Sequence, residues 1–159
     1  MTLNAAIEPE SANERVFYNS VYRHGVDEKR RVQIPAKWRS GKQDVLTLIL
    51  WPGKSMDDAC LLALPPQEWL ALVEKLRSMP HHEPRAQTLR YLIGAMSDRV
   101  TLDRVGRICL PESMMQAASI QEEAVLAGMV DRFSIWNPAR YKAVYAQAEM
   151  MMPDAFQLI

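Results

Sequence analysis

The chain has 159 residues, 48% of them hydrophobic and 24% charged, which is the composition of a folded protein and excludes a disordered one. Nineteen Lys and Arg balance nineteen Asp and Glu, so the strongly basic character of many nucleic-acid binders is missing overall, although local patches stay open. Two cysteines form no disulfide scaffold, and neither a signal-peptide pattern nor an uncharged apolar run of about 18 residues is present, so the expectation is a soluble cytoplasmic protein with no membrane partner.

Residues 1–14 carry Glu8, Glu10 and Glu14 and no basic residue. Residues 15–42 reverse the sign: Arg15, Arg23, Lys29, Arg30, Arg31, Lys37, Arg39 and Lys42 stand against Asp27 and Glu28, a net of +6. A strand-permissive aromatic stretch runs from Phe17 to Asp27, and a second strand starts at Arg31 and ends at Pro35, which opens a short helix over Ala36–Arg39. Strands follow at Val45–Trp51 and Cys60–Leu64, separated by the long loop PGKSMDDA. An amphipathic helix from Pro66 carries Trp69, Leu72, Val73 and Leu76 on one stripe. Beyond Ser78-Met79-Pro80, a further helical stripe is formed by Leu89, Leu92, Ile93 and Met96. Then come a strand at Val100–Asp103, a turn, a strand at Arg107–Leu110, Pro111, a helix over Glu112–Ala118, and strands at Ala124–Val130 and Phe133–Trp136 around Asp131. A last amphipathic helix from Pro138 bears Tyr141, Val144, Tyr145 and Ala148.

The chain repeats itself. VDEKRRVQIP (residues 26–35) matches LDRVGRICLP (residues 102–111) at an offset of 76, and the helix from Pro66 matches the helix from Pro138 at an offset of 72. The long loop of the first copy accounts for most of that change, partly offset by its shorter early helix. Two tandem copies result, about 15–80 and 90–150. Each has too few residues for an independent core, so they are expected to pack on each other. Trp69, Tyr141, Tyr145 and the ten methionines either fill that core or cover a subunit interface.

In each copy an Asp and an Arg bracket three residues, so the pair encloses a turn. Gly106 suits a position with φ > 0, and Arg30 at the matching place must adopt that conformation unless the turn differs. Asp27 and Asp103 are assigned as turn organisers, accepting turn N–H groups or pairing with their own arginines. The basic residues around the turns are the candidates for phosphate and base contact.

No constellation for catalysis appears. His24 lies beside the first turn as an ordinary exposed polar residue or a phosphate contact, and His81-His82-Glu83 is a poor metal cluster because adjacent histidines point apart. Cys60 and Cys109 lack CxxC spacing and are expected as buried thiols in strands. No phosphate-cradling Gly-rich motif occurs. The expectation is no enzyme: no catalytic residue, metal, cofactor or small-molecule substrate.

The motifs DEKRRVQIP (Asp27–Pro35) and DRVGRICLP (Asp103–Pro111), with LLALPPQEWLALVEKL (61–76), LRYLIGAMSDRVTLDRVGRICLP (89–111) and VLAGMVDRFSIWNPARYKAVYAQAE (125–149), resemble the MraZ family of bacterial transcriptional regulators, which are built from two SpoVT-AbrB-type swapped-hairpin domains. The resemblance covers the chain from about Phe17 to Glu149, with Arg30 standing where the family usually has Gly. It implies an α+β fold of short β-strands with amphipathic helices. Two tandem AbrB-like units at 15–80 and 99–150, joined by a connecting helix at 81–98, would form one pseudo-twofold double-psi or swapped-hairpin barrel-like core. It further implies a homo-oligomer, expected to be ring-shaped, that is nucleoid-associated and binds double-stranded DNA at direct repeats in the promoter region of the division and cell-wall gene cluster. Carried over by position, it implies Asp27, Lys29 and Arg31 in the first motif and Asp103 and Arg107 in the second as contact candidates. Together with the basic residues around the turns, the expected DNA-binding set is Arg23, Lys29, Arg30, Arg31, Arg104 and Arg107, with Asp27, Asp103 and Gly106 organising the turns. The alternative is a swapped-hairpin module acting mainly on a protein partner, antitoxin-like, with DNA contact secondary.

Overall fold

Short β-branched and leucine-rich segments closed by Pro and Gly favour strands, and Pro at a first helical position favours the helices between them. The computed structural model describes residues 15–41 and 44–159. Along the chain run β1 (Val21–Gly25), β2 (Arg31–Gln33), a 3-10 turn (Ala36–Trp38), β3 (Val45–Trp51), a second 3-10 turn (Met56–Asp58), β4 (Cys60–Leu64), α1 (Pro66–Arg77), α2 (Pro84–Ala95), β5 (Ser97–Thr101), β6 (Arg107–Cys109), α3 (Glu112–Ala117), β7 (Glu123–Gly128), β8 (Phe133–Trp136), α4 (Pro138–Met150) and α5 (Met152–Phe156). Helices α1, α2 and α4 all begin on proline, and Asn137 caps α4 by accepting from the Ala139 and Arg140 N–H groups.

The strands form a six-stranded antiparallel sheet in the order β1-β7-β8-β4-β3-β5 and a separate two-stranded ribbon, β2-β6. The pairing is exchanged between the repeats. Strand β1 lies on β7, with Val21 opposite Ala127, and its counterpart β5 lies on β3, with Ser97 opposite Ile49. The ribbon pairs the two motifs about Val32 and Ile108, and β4 pairs with β8 about Leu62 and Ser134. A pseudo-twofold axis therefore relates the repeats, and the architecture is a mixed α+β, swapped-hairpin-like fold.

Alternation along the strands fixes two layers of apolar packing. One face of β4 sends Leu61 and Ala63 into the main core, where Val32, Ile34 and Leu48 of the first repeat meet Ile108, Leu110, Leu126, Phe133 and Ile135 of the second. The other face sends Leu62 and Leu64 under α1 and α2, against Leu76 and Ile93, with Trp69 and Leu72 at the margin. Burial pushes the Cys60 thiol up to about 12.

Several expectations shift. Strand β5 begins at Ser97, ahead of Val100, because residues 97–101 pair along β3 and the Met96 carbonyl accepts from the Leu50 N–H. On α2 the inward residues are Ala86 and Ile93, whereas Leu89 and Leu92 face outward. Strand β7 stops at Gly128, and Val130 reaches Tyr18 only as an isolated bridge. Tyr145 is exposed and fills no core.

Gly128 sits where the backbone of residues 18–19 crosses β7. A Cβ there would stand 2.4 Å from the Tyr18 carbonyl oxygen and 2.7 Å from its carbon. Main chain cannot step aside, and the crossing carries reciprocal hydrogen bonds between Tyr18 and Val130. Gly128→Ala is expected to cost about 1–3 kcal/mol, read in a thermal melt as a fall of about 2–4 °C for each kcal/mol.

Candidate nucleic-acid interface

The two turns are built alike although their sequences differ. The Asp27 carbonyl accepts from the Arg30 N–H at 2.9 Å, and the Asp103 carbonyl accepts from the Gly106 N–H at 3.0 Å. The Asp27 N–H donates to the Arg31 carbonyl and the Asp103 N–H to that of Arg107. The fourth residue is left-handed in both, with φ 61° at Arg30 and 85° at Gly106. Arg30 thus takes the conformation expected of glycine, at a cost of about 1–2 kcal/mol. Its Nε donates to the Leu110 carbonyl at 3.0 Å, an anchor glycine could not supply.

Each Asp makes the same set of contacts. Asp27 Oδ1 accepts from the backbone N–H of Lys29 and Arg31, while Oδ2 accepts from Arg31 Nε at 2.8 Å. Asp103 Oδ1 accepts from the N–H of Val105 and Arg107, while Oδ2 accepts from Arg107 Nε at 2.9 Å. The backbone N–H of Arg31 or Arg107, more than the guanidinium, holds each carboxyl below its ordinary range. With Nε committed to the aspartate, the outer Nη edge of each guanidinium remains to project from the surface.

The ribbon places these groups. Val32 and Ile108 point inward and are fully buried, so period-two alternation turns Arg31, Gln33, Arg107 and Cys109 outward. Arg31 lies opposite Cys109, and Gln33 opposite Arg107. Cys109 is therefore exposed, not buried: Ile108 occupies the inward position beside it. The two turns stand at opposite ends of the ribbon, which advances about 7 Å over its three residues. Two cross-strand straps tie them down, Gln33 Nε2 to the Val105 carbonyl at 2.7 Å and Cys109 Sγ to the Lys29 carbonyl at 3.3 Å.

The other candidates separate into two groups. Lys29 and Arg104 occupy the turn tips, and their side chains have no hydrogen-bond partner among the described residues. Arg23 lies on β1 and is paired with Glu123 of β7, while Arg30 is folded back onto Leu110. His24 is half-buried, its ring stacked on Tyr22 with centroids 6.3 Å apart, so it is neither an ordinary exposed residue nor part of the turn. Sequence reading missed Arg39, which reaches the Val105 carbonyl at 3.4 Å and covers Gly106 so closely that a Cβ there would stand 2.2 Å from its Nη1. It also missed Gln33 and Cys109, although alternation about Val32 and Ile108 already places both on the outer face. Among the described residues no group of three or more His, Cys, Asp or Glu could hold a metal ion, and no helix is long and apolar enough to cross a membrane.

An exchanged set of strands that projects two aspartate-locked arginines from a two-stranded ribbon defines a mixed α+β, swapped-hairpin-like protein. A family model described as "MraZ protein, putative antitoxin-like" matches residues 94–157. Relatives named transcriptional regulator MraZ include one from Herpetosiphon aurantiacus, 37% identical over 123 residues that cover 77% of this chain and 82% of the relative. Another, from Desulfitobacterium hafniense, is 34% identical over 130 residues, 80% of this chain and 86% of its own. A third, from Thermomicrobium roseum, is 33% identical over 135 residues, 84% and 88% of the two chains. The chain belongs to the MraZ family.

Proposed function

We propose that this protein is a transcriptional regulator that binds double-stranded DNA through the β2-β6 ribbon and its two turns. The observation that carries the reading is the identical Asp–Arg geometry at both ends of one ribbon, since a two-stranded ribbon fits the major groove and an outward guanidinium edge suits guanine O6 and N7. Arg31 and Arg107 are the base-reading residues, and Lys29 and Arg104 hold phosphates. Arg30, its Nε already given to the Leu110 carbonyl, supplies charge beside the first turn more than direct contact, and Arg23 reaches a phosphate only by exchanging its Glu123 partner for it. Asp27, Asp103 and Gly106 set the turns.

In this reading two SpoVT-AbrB-like units, residues 15–80 and 99–150 joined through 81–98, form one pseudo-twofold double-psi or swapped-hairpin barrel. The DNA is a set of direct repeats in the promoter region of the division and cell-wall gene cluster, and the protein acts in the nucleoid as a ring-shaped homo-oligomer. Exposed apolar residues on α4, on α5 and at the Met151 link between them (Tyr145, Met150, Met151 and Phe156) support such self-association. A chain of zero net charge gains useful affinity by engaging several repeats at once through effective concentration. Those same residues, with the antitoxin-like family description, favour a second reading in which they hold a small protein partner. Co-purification of one stoichiometric partner on α4 and α5 would support it.

The test is a titration of the full chain at two salt concentrations. The probes are duplex DNA from upstream of the organism's own division and cell-wall genes and a shuffled duplex of equal composition. The expected result is preference for the first and loss of affinity with salt for both. Equal affinity for the two probes would overturn the reading.

A further inference from the structure

The pseudo-twofold axis relates Gln33 to Cys109 and Val105 to Lys29, so the two cross-strand straps occupy equivalent places with different chemistry. The Val105 carbonyl can only accept, which fixes the Gln33 amide with its nitrogen inward. One N–H is thereby used. The nitrogen also lies 3.5 Å from the Gly106 carbonyl, at the outer limit of a hydrogen bond, so its second N–H is only weakly engaged, and Oε1 accepts from none of the described residues. A side-by-side donor and acceptor is the complement of the adenine major-groove edge, N7 and N6–H. The amide stands on the outer face opposite Arg107 and two residues from Arg31, and it makes that contact while keeping its 2.7 Å bond to the Val105 carbonyl, giving up only the long one to Gly106. Cys109 differs. Its single S–H is spent on the Lys29 carbonyl, leaving a sulfur with no donor to offer a base.

We infer that Gln33 is a specificity-determining residue that selects adenine at one position of each site, while Cys109 leaves the symmetry-related position unread. The inference rests on the DNA-binding reading and deepens it. A ribbon that is nearly symmetric in shape thus reads an asymmetric word. An asymmetric word suits sites arranged head to tail, because turning the protein about its axis no longer gives an equivalent match.

The experiment is selection from a randomised duplex pool by the full-length wild type, Gln33→Ala and Cys109→Gln, with the melting temperature of each recorded. The wild type is expected to enrich a word that holds adenine at one position by about tenfold over other bases. In Gln33→Ala that position becomes degenerate while the rest of the word survives. In Cys109→Gln a second adenine preference appears at the symmetry-related position on the opposite strand, a gain that loss of folding cannot produce. An unchanged word in Gln33→Ala, or no new preference in Cys109→Gln, overturns the inference and leaves DNA binding standing. Failure of the wild type to enrich any word overturns the binding reading, and the inference falls with it.

Discussion

Phe133→Ala is expected to lower the stability of the whole chain by about 3–5 kcal/mol. In a thermal melt this is a fall of about 2–4 °C for each kcal/mol. Phe133 is fully buried on β8, which lies in the sheet between β7 and β4. Its ring centroid lies 5.4 Å from that of Tyr18 and 4.9 Å from that of Trp38, both from the first repeat. Tyr22 completes the cluster edge-on against Trp38. Truncating the ring opens a cavity in the core that both repeats share, and the interlocked strands leave little freedom to close it. Because β1 depends on β7 and β5 on β3, neither repeat keeps its sheet if the other melts. The variant is therefore expected to retain a single transition, with fluorescence of the four tryptophans and far-ultraviolet circular dichroism coinciding. Two resolved transitions, only one of them shifted, would show that the repeats are separately stable units.

What could be read from the sequence was what local chemistry dictates. The Asp–Arg spacing, the φ > 0 position and the closing proline act within ten residues, so the turns were legible in both copies despite three different residues between the bracketing pair. The change of offset along the repeat pointed to the 52–59 loop, which the structure places between β3 and β4. Strand exchange was a different matter. Strands β3 and β7 present similar apolar runs, so nothing local tells β1 which of them to join. The physical reason lies in closing one core from two repeats that are each too small to have their own. Arg23 and Arg30 show the same limit: their partners, Glu123 and the Leu110 carbonyl, lie 100 and 80 residues away in the chain. Cys109 was legible and was misread, since a strand places alternate residues outward and Ile108 had the better claim to the core.

Arg31→Ala/Arg107→Ala is expected to lower affinity for the preferred DNA by about a hundredfold or more, with the fold and the oligomeric mass unchanged. Both side chains lie on the outer face of the ribbon, and neither contributes apolar surface to the core beneath. Loss of two cations per chain also weakens non-specific binding and flattens its salt dependence, so this pair alone does not separate field from geometry. The companion variant, Asp27→Asn/Asp103→Asn, does. It removes two negative charges per chain from the basic face, and if the surface field alone governed binding, affinity would rise. An asparagine keeps an oxygen for the two backbone N–H groups but replaces the acceptor of Arg31 Nε and Arg107 Nε with an amide that cannot accept. The guanidinium groups are then released from a fixed orientation, and ordering them again on DNA costs conformational entropy. The expected outcome is opposite in sign for two probes: non-specific affinity rises slightly, while affinity for the preferred word falls about tenfold. A rise on both probes would mean that the carboxylates only dilute positive charge, and that the matched locks at the two ends of the ribbon serve the turns alone.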